Sequence, residues 1–423
     1  MTVGKTRECI GNGGYDETFR VLYANAAIQA VRERYADAVK AFERVYGAER
    51  EIVIVSAPGR TEIGGNHTDH QRGRVLAAAV DLDIVCVASR NRAGTIRVTS
   101  EGYPPDEINL GSLKPAEQEK GKSASLVRGV SAWLKDRGYS IGGMDIYMTS
   151  GIPAGSGLSS SAAYEIAIGC LQNCLHNGSE IAPGQIAMAG SYAENNYFGK
   201  PSGMMDQIAC ATGGFVYIDF QNPDEPAVRP IEFDFSASGC ALCIIDTKGS
   251  HAGLTPAYAA IPAEMKSVAA LFGKEYLNET DEVEFYRCIN KARAQAGDRA
   301  VLRAMHFFSE NKRVQQQAEA LQNGRFDEFL QLVTESGESS KSCLQNIYAR
   351  PEEQSLSIAL AISERILKGS SRVHGGGFAG TIQAYVPNEL LQEYCGQIDS
   401  IFGPNSCRAL SIRPQGGAEL LPE

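Results

Sequence analysis

The feature that most narrows the folds open to this chain is the run Pro153-Ala-Gly155-Ser156-Gly157-Leu158-Ser159-Ser160-Ser161-Ala162-Ala163-Tyr-Glu165. It follows an alternating segment, Gly143-Met-Asp-Ile-Tyr-Met148, and leads into helical spacing that continues to about residue 175. The pattern predicts a strand, a tight loop and a helix in succession. Glycines let a backbone approach an anion with its N–H groups turned inward, the serines add hydroxyls, and a helix start offers free N–H groups and a positive dipole end. The run reads as a cradle for a triphosphate. The competing reading is a flexible linker ending in a serine cap. The small residues that continue into the helix, Ala162 and Ala163, favour the cradle, because close packing against a ligand requires them. No G-x-x-x-x-G-K-[ST] loop occurs anywhere in the chain, so this is not a Walker-type site.

Three further constellations are informative. Gly64-Gly65-Asn66-His67-Thr68-Asp69-His70-Gln-Arg-Gly73 lies between two apolar runs, 51–58 and 75–82, that read as buried strands. Polar groups held between such elements need partners. Asn, His and Asp supply donors and acceptors together, which suits a hydroxyl-rich small molecule, and Arg60 just upstream adds a fixed positive charge for a phosphoryl group. A metal site on His67, Asp69 and His70 lacks a third ligand cluster. Downstream, Ala193-Glu194-Asn195-Asn196 and Pro201-Ser-Gly203-Met-Met-Asp206-Gln207 bring two carboxylates to either side of a glycine- and proline-rich bend. Asp206 opens an apolar helix, where an N-cap role competes with a catalytic one. Last, Gly375-Gly-Gly377-Phe-Ala-Gly380 matches G-x-G-x-x-G in letters only. A strand pattern follows it rather than a helix, which excludes a dinucleotide fold and predicts a glycine hairpin approaching a ligand.

Around these motifs the chain alternates between types. Helical spacing covers 20–46, strands are predicted at 84–88, 95–98, 213–233 and 240–246, and residues 258–370 are mostly helical with breaks near Gly297, Gly324 and Pro351. A strand at 381–386, a helix at 389–401 and a strand at 406–412 close the chain. This predicts an α+β protein of two lobes, 1–225 and 226–423. A net charge of −10 without a dense basic stripe argues against nucleic-acid binding. No apolar stretch approaches the roughly 20 residues of a membrane span. Eleven scattered cysteines, with Cys240-Ala-Leu-Cys243 as a lone C-x-x-C in an apolar run, predict buried reduced thiols and a cytoplasmic protein.

In this order and at these separations the motifs resemble those of the GHMP small-molecule kinases, and within them the galactokinases. The sugar signature P-G-R-x-N-x-I-G-E-H-x-D-Y is matched by Pro58 to His70, the phosphate loop P-x-G-x-G-L-S-S-S-A by Pro153 to Ala162, and G-x-P-x-G-x-M-D-Q by Gly199 to Gln207. The late G-x-G-F-G-G motif is matched by 375–380, with Ala379 for one glycine. The resemblance implies a two-lobed GHMP kinase fold, with an N-terminal mixed-sheet lobe, a C-terminal ferredoxin-like and helical lobe, and the active site between them. It implies ATP-dependent phosphorylation of the anomeric hydroxyl of galactose, with a small-molecule sugar and ATP as partners and Mg²⁺ as cofactor. ATP phosphates would lie on Gly155, Ser156, Gly157, Leu158, Ser159, Ser160, Ser161 and Ala162. Mg²⁺ would be held by Ser161 and Glu194. Asp206 and Arg60 would be catalytic, and Asn66, His67, Asp69, Asp206 and Tyr258 would contact the sugar. The chain departs from the signature at Glu62 (family Asn), Gly64 (family Ile), Asn66 (family Glu) and His70 (family Tyr). Asn66 is expected near the sugar 6-hydroxyl, where it also tolerates a C6 carboxylate, and the H-x-D-H-Q run resembles that of plant galacturonate kinases. Galacturonate, N-acetylgalactosamine or a non-catalytic sugar sensor are the alternatives.

Overall fold

The computed structural model describes all residues from 1 to 423 except Asn25, Ala154, Pro201, His251 and Lys368. Ala154 and Pro201, members of two of the motifs, therefore lie outside the described residues. Helices α1 (Val3–Gly11), α2 (Asp16–Leu22) and α3 (Ile28–Tyr46) come first. The continuous helix expected over 20–46 is thus two helices, and α1 carried too few apolar positions to be read in advance. Strands β1 (Val53–Gly64), β2 (Arg74–Arg90), β3 (Thr95–Ser100) and β4 (Asp106–Asn109) follow, then α4 (Ser123–Asp136) and β5 (Met144–Ser150). The phosphate-loop motif opens α5 (Ser160–His176), which is followed by α6 (Pro183–Ala193), a π-turn at Glu194–Phe198, α7 (Met205–Thr212), β6 (Phe215–Asp219) and β7 (Ala227–Ile231).

The first sheet runs β4-β3-β5-β2-β1, with β12 (Ala418–Leu420) on its far edge, and β6 and β7 joined to the other half of β2. Only the β3–β5 pair is parallel, so the sheet is mixed. Strand β2 is long enough to pair with β5 through residues 84–90 and with β6 through 74–78. Alternation sends Val55, Ala57, Val75 and Ala77 toward α5 and α7, while Ile54, Val85 and Val87 meet α3. Further along, Ile63, Leu76 and Ala78 face a different helical layer from the second lobe. Covering both faces is why these strands read as continuous apolar runs.

The second lobe starts at β8 (Cys240–Asp246). A helical insert follows: α8 (Thr255–Ala270), α9 (Glu282–Arg287), α10 (Ile289–Ala296), α11 (Asp298–Gln322), α12 (Phe326–Ser339) and α13 (Ser355–Leu367). Then come β9 (Ser371–Val373), β10 (Thr381–Pro387), α14 (Leu391–Phe402) and β11 (Cys407–Leu410). Its antiparallel sheet has the order β11-β8-β10-β9, the ferredoxin-like arrangement of two βαβ-type halves. The expected boundary at 225/226 falls between β6 and β7, which pair with each other, so the chain leaves the first sheet only after Ile231. It also returns: Ile54 pairs with Leu420. Among the described residues no helix is long and apolar enough to cross a membrane.

Candidate active site

The site forms where β1 passes beneath the phosphate loop. The β1–β2 register shifts between Pro58 and Arg60, where Gly59 alone faces the bulged residues 80–82 of β2. A Cβ on Gly59 would lie 2.7 Å from the Leu158 carbonyl, and the Arg60 N–H donates to that same carbonyl at 3.1 Å. Opposite that bulge Arg60 enters the site, where its Nε and Nη2 grip Asp206 Oδ1 and Oδ2, each at 2.7 Å, and Nη1 reaches Gly157 O at 2.5 Å. The Ser159 hydroxyl donates to Asp206 Oδ2. Asp206 is the second residue of α7, not its N-cap; that position belongs to Met204. Burial pushes the Asp206 carboxyl up, but the Arg60 charge and hydrogen bonds outweigh it and leave the pKa below the usual carboxylate range.

Gly155, Gly157 and Ser159 all adopt positive φ (73°, 71° and 57°), the turn that brings the chain onto the start of α5. Ser159 does not cap α5, since its hydroxyl goes to Asp206. The first turn of α5 thus keeps its N–H groups without a side-chain acceptor, as an anion cradle requires. In that same turn Ser161 Oγ donates to Glu194 Oε1 at 3.2 Å. Glu194, 2% exposed, also accepts from Lys200 Nζ at 2.8 Å, Ser202 Oγ at 2.5 Å and Gln207 Nε2 at 3.1 Å. Gln207 bridges onward to Glu165 at 2.9 Å. Burial, and then the Glu194 charge, raise the pKa of the Glu165 carboxyl well above its ordinary value.

The signature loop is held from the second lobe. Gly65 N–H donates to Glu310 Oε1 at 3.1 Å, and His306 Nε2 bonds Asn66 O at 2.9 Å, both from α11. His67 sits at φ 59°, an uncommon conformation for a residue with a Cβ. Three side chains from the sugar motif and its expected partners end on successive carbonyls of the glycine run. Asn66 Nδ2 donates to Gly375 O at 2.6 Å, His67 Nε2 to Gly376 O at 3.0 Å, and Tyr258 Oη to Gly377 O at 2.8 Å. His67 is therefore the Nε2–H tautomer with Nδ1 as an acceptor. Burial first, then His70, lowers its pKa to about 4.

The expectation that Asn66 faces a sugar hydroxyl does not fit this arrangement. Asn66 is fully buried, and its amide is committed on both sides: Nδ2 also donates to Glu62 Oε1 at 3.0 Å, and Oδ1 accepts from Asn346 Nδ2 at 2.8 Å. Glu62 in turn is paired with Arg372 Nη2 at 2.6 Å. The family's Asn and Glu have changed places here, and the relocated charge is buried under an arginine of the second lobe. Asp69 is partly buried; its Oδ1 accepts from the His70 N–H at 2.9 Å, and its Oδ2 lies 2.8 Å from where a Cβ on Gly203 would be. The α7 approach is thereby brought beside the signature loop. His70 is exposed, and His67, Asp69 and His70 do not converge as a metal site; among the described residues the one such grouping consists of Cys243, Cys395 and Cys407.

Several residues that shape the site had not been singled out. His374 stands between Thr61 Oγ1 at 3.1 Å and Thr381 Oγ1 at 3.0 Å, under Gly157, and burial drops its pKa to about 3. Its position just before the glycine run was the available signal. Arg372, Asn346 and Glu310 had none, since each is defined by a partner distant in sequence.

Comparison with known proteins agrees with this geometry. The family description "Galactokinase galactose-binding signature" matches residues 40–90, and "GHMP kinases N terminal domain" matches 125–214. The galactokinase of Glaesserella parasuis serovar 5 is 32% identical over 83% of this chain and 89% of its own length. That of Streptomyces coelicolor is 28% identical over 90% and 97%. The crystal structure of Lactococcus lactis galactokinase complexed with galactose superposes with a TM-score of 0.77 at 22% identity, covering 92% of this chain and all of that one. The sugar-type signature, the phosphate loop and the fold that joins them have one common source: the chain belongs to the galactokinase family of GHMP kinases.

Proposed function

We propose that this protein transfers the γ-phosphoryl group of ATP to the anomeric hydroxyl of galactose, giving galactose 1-phosphate and ADP. The observation that carries the reading is the Asp206 carboxylate, fixed by two Arg60 bonds of 2.7 Å and joined to Ser159 at the head of the phosphate loop. A sugar hydroxyl that donates to Asp206 would lie directly beside a phosphoryl group cradled on residues 155–162.

Phosphoryl transfer passes through a loose transition state, so positioning and charge matter more than strong base catalysis. An ionised Asp206 suits that role. It orients the anomeric hydroxyl and accepts its proton late, after the oxygen has begun to bond phosphorus. Arg60 keeps Asp206 ionised and presents positive charge to the transferring group. Asp69 and the free Nδ1 of His67 offer acceptors to sugar hydroxyls, while Asn66 and Tyr258 hold the glycine run that walls the site.

Magnesium fits the donors present. Ser161 and Glu194 supply the hard oxygen ligands this ion takes. The Glu194 charge is balanced by the Lys200 ammonium at 2.8 Å, on a side chain 56% exposed and able to swing away. A Mg²⁺ ion held there by Ser161 and Glu194 would offset the charge of the ATP phosphates.

The test is ADP release with ATP, Mg²⁺ and a panel of galactose, galacturonate, N-acetylgalactosamine, glucose and arabinose. Turnover led by galactose is expected. Turnover led by galacturonate would overturn the sugar assignment. Sugar binding without turnover on any member would replace the kinase with a sensor.

A further inference from the structure

Far from the cleft, on the outer side of the second lobe, three cysteines converge. Cys243 lies on β8, Cys395 on α14 and Cys407 on β11, and their sulfurs are all within 4.8 Å of one another. The register explains the meeting. Cys243 pairs with Ala409, so Cys407 is its diagonal neighbour on the same face of the sheet, and α14 packs over that face through Tyr394 and Ile398. Cys243 is buried, whereas Cys395 and Cys407 are half-buried with their sulfurs only 2.9 Å apart.

We propose that Cys395 and Cys407 form an oxidisable dithiol that reacts with hydroperoxides to give a Cys395–Cys407 disulfide. Two sulfurs bound to one metal ion by bonds of about 2.3 Å stand nearly 4 Å apart, which the close approach of this pair does not match. No fourth ligand completes the cluster among the described residues, and the nearby Asp399 carboxylate is already taken by the N–H groups of Cys407 at 3.0 Å and Asn405 at 3.1 Å. The Cys395 thiol is the reactive member. Hydrogen bonds from the Cys243 and Cys407 thiols stabilise its thiolate and lower its pKa to about 6, while the pKa of Cys243 is driven well up.

The chemistry balances. The Cys395 thiolate attacks the outer peroxide oxygen, the O–O bond breaks, and the departing alkoxide takes a proton to leave as an alcohol, or as water when the oxidant is hydrogen peroxide. Cys395 is then a sulfenic acid. Cys407 attacks its sulfur, the S–O bond breaks, and hydroxide leaves as water with the Cys407 proton. Two thiols have lost two electrons and two protons to one peroxide. The product staples α14 to β11.

The experiment treats the full-length reduced protein with a small excess of hydrogen peroxide and maps peptides by mass spectrometry. The expected result is a Cys395–Cys407 cross-link with the loss of two hydrogens, formed before Cys343 or Cys9 is oxidised. At pH 6 about half of Cys395 is thiolate, and even after allowing for the weaker nucleophilicity of a less basic thiolate it should react about tenfold faster than an ordinary cysteine. In Cys407→Ser the reaction should stop at a sulfenic acid on Cys395 that dimedone traps; in Cys395→Ser the cross-link should vanish. Oxidation spread evenly over the thiols, or a cross-link from Cys395 to Cys243, would overturn the proposal. So would a stoichiometric metal ion in the purified protein that is lost in Cys395→Ser.

Discussion

Asp206 and Arg60 define what a single side chain contributes here. Asp206→Asn keeps the shape but turns an amide N–H toward the Arg60 guanidinium and removes the charge that orients the sugar hydroxyl. Turnover should fall by about a hundredfold to ten-thousandfold, and the fold should persist with a lowered melting temperature because buried Arg60 loses its counter-charge; ADP release and a thermal melt on the same sample check both. Because Arg60 outweighs burial, Asp206 stays ionised below the ordinary carboxylate range. The acid limb of the kcat profile should therefore lie below that range, and Arg60→Met should move the limb upward, with only Ser159 and Lys200 left to oppose burial. Stability has a second pH dependence of definite sign. His67 and His374 are buried neutral, with pKa values of about 4 and about 3. An unfolded chain takes up protons on both from about pH 6.5 downward, so each costs stability progressively as pH falls from there. The exchanged Glu62 and Asn66 give the sharpest test of local logic. Asn66→Glu alone sets two buried carboxylates against one arginine and should cost about 3 kcal/mol or more. Adding Glu62→Asn should recover much of that cost, and a double-mutant cycle in urea measures the coupling. The letters at 62 and 66 were legible as departures from a signature, but their physical meaning was not. It depends on Arg372, about three hundred residues away, and on a hydrogen bond between the two side chains that spacing alone cannot reveal.

Between side chain and lobe, the working unit is β1, opposite the bulge of β2, crossing under the loop that leads into α5. The contact is backbone to backbone, so it constrains residue type strictly. Gly59→Ala would place a methyl 2.7 Å from the Leu158 carbonyl and 3.2 Å from Ile152 Cδ1. The side chain of Ile152 can yield, but the carbonyl cannot without displacing the phosphate loop. The expected outcome is a stability loss of about 1–3 kcal/mol and a KM for ATP raised roughly tenfold, equivalent to about 1.4 kcal/mol of binding, with the KM for sugar changed less. Equal effects on both substrates would show that the crossing positions the whole cleft instead. Elements of this kind were partly readable. The apolar runs at 51–58 and 75–82 identified β1 and β2 because burial on both faces leaves an uninterrupted signature. The glycine run was correctly separated from a dinucleotide motif by the strand pattern after it, which is β10. The break between α2 and α3 was missed because the apolar spacing continues across it. The bulge was invisible because it is a property of register, and register is set by a partner strand.

For the molecule as a whole, the two lobes are interlocked rather than strung in series. The chain crosses to the second lobe after β7 and comes back through β12, and α11 reaches across to hold Gly65 and Asn66. Nothing in the local sequence announces that return, since Leu420 pairs with Ile54 over almost the full length of the chain. The clasp is Asp83, fully buried where N-terminal helices, β1 and C-terminal segment meet. It is paired with Arg34 at 2.7 Å and Arg413 at 3.1 Å, and takes hydrogen bonds from Tyr23 and Ser56. Burial opposes its charge, but Arg34 and then Arg413 hold its pKa below the ordinary value. Such a group adds stability above the unfolded carboxylate pKa and loses it as pH falls through the depressed one. Asp83→Asn would leave two arginines facing a neutral amide, with one of them fully buried, and should cost about 3–5 kcal/mol. The Asp83 carbonyl also accepts from Gly151 N–H at 2.8 Å, at the entrance to the phosphate loop. The variant should therefore show a lower urea midpoint and a weaker acid dependence of stability, with any kinetic change in the KM for ATP before the KM for sugar. A midpoint equal to that of the parent would mean that the first and last segments are fastened by their apolar contacts alone. A loss of kcat with the midpoint preserved would mean that the network acts on the reaction itself.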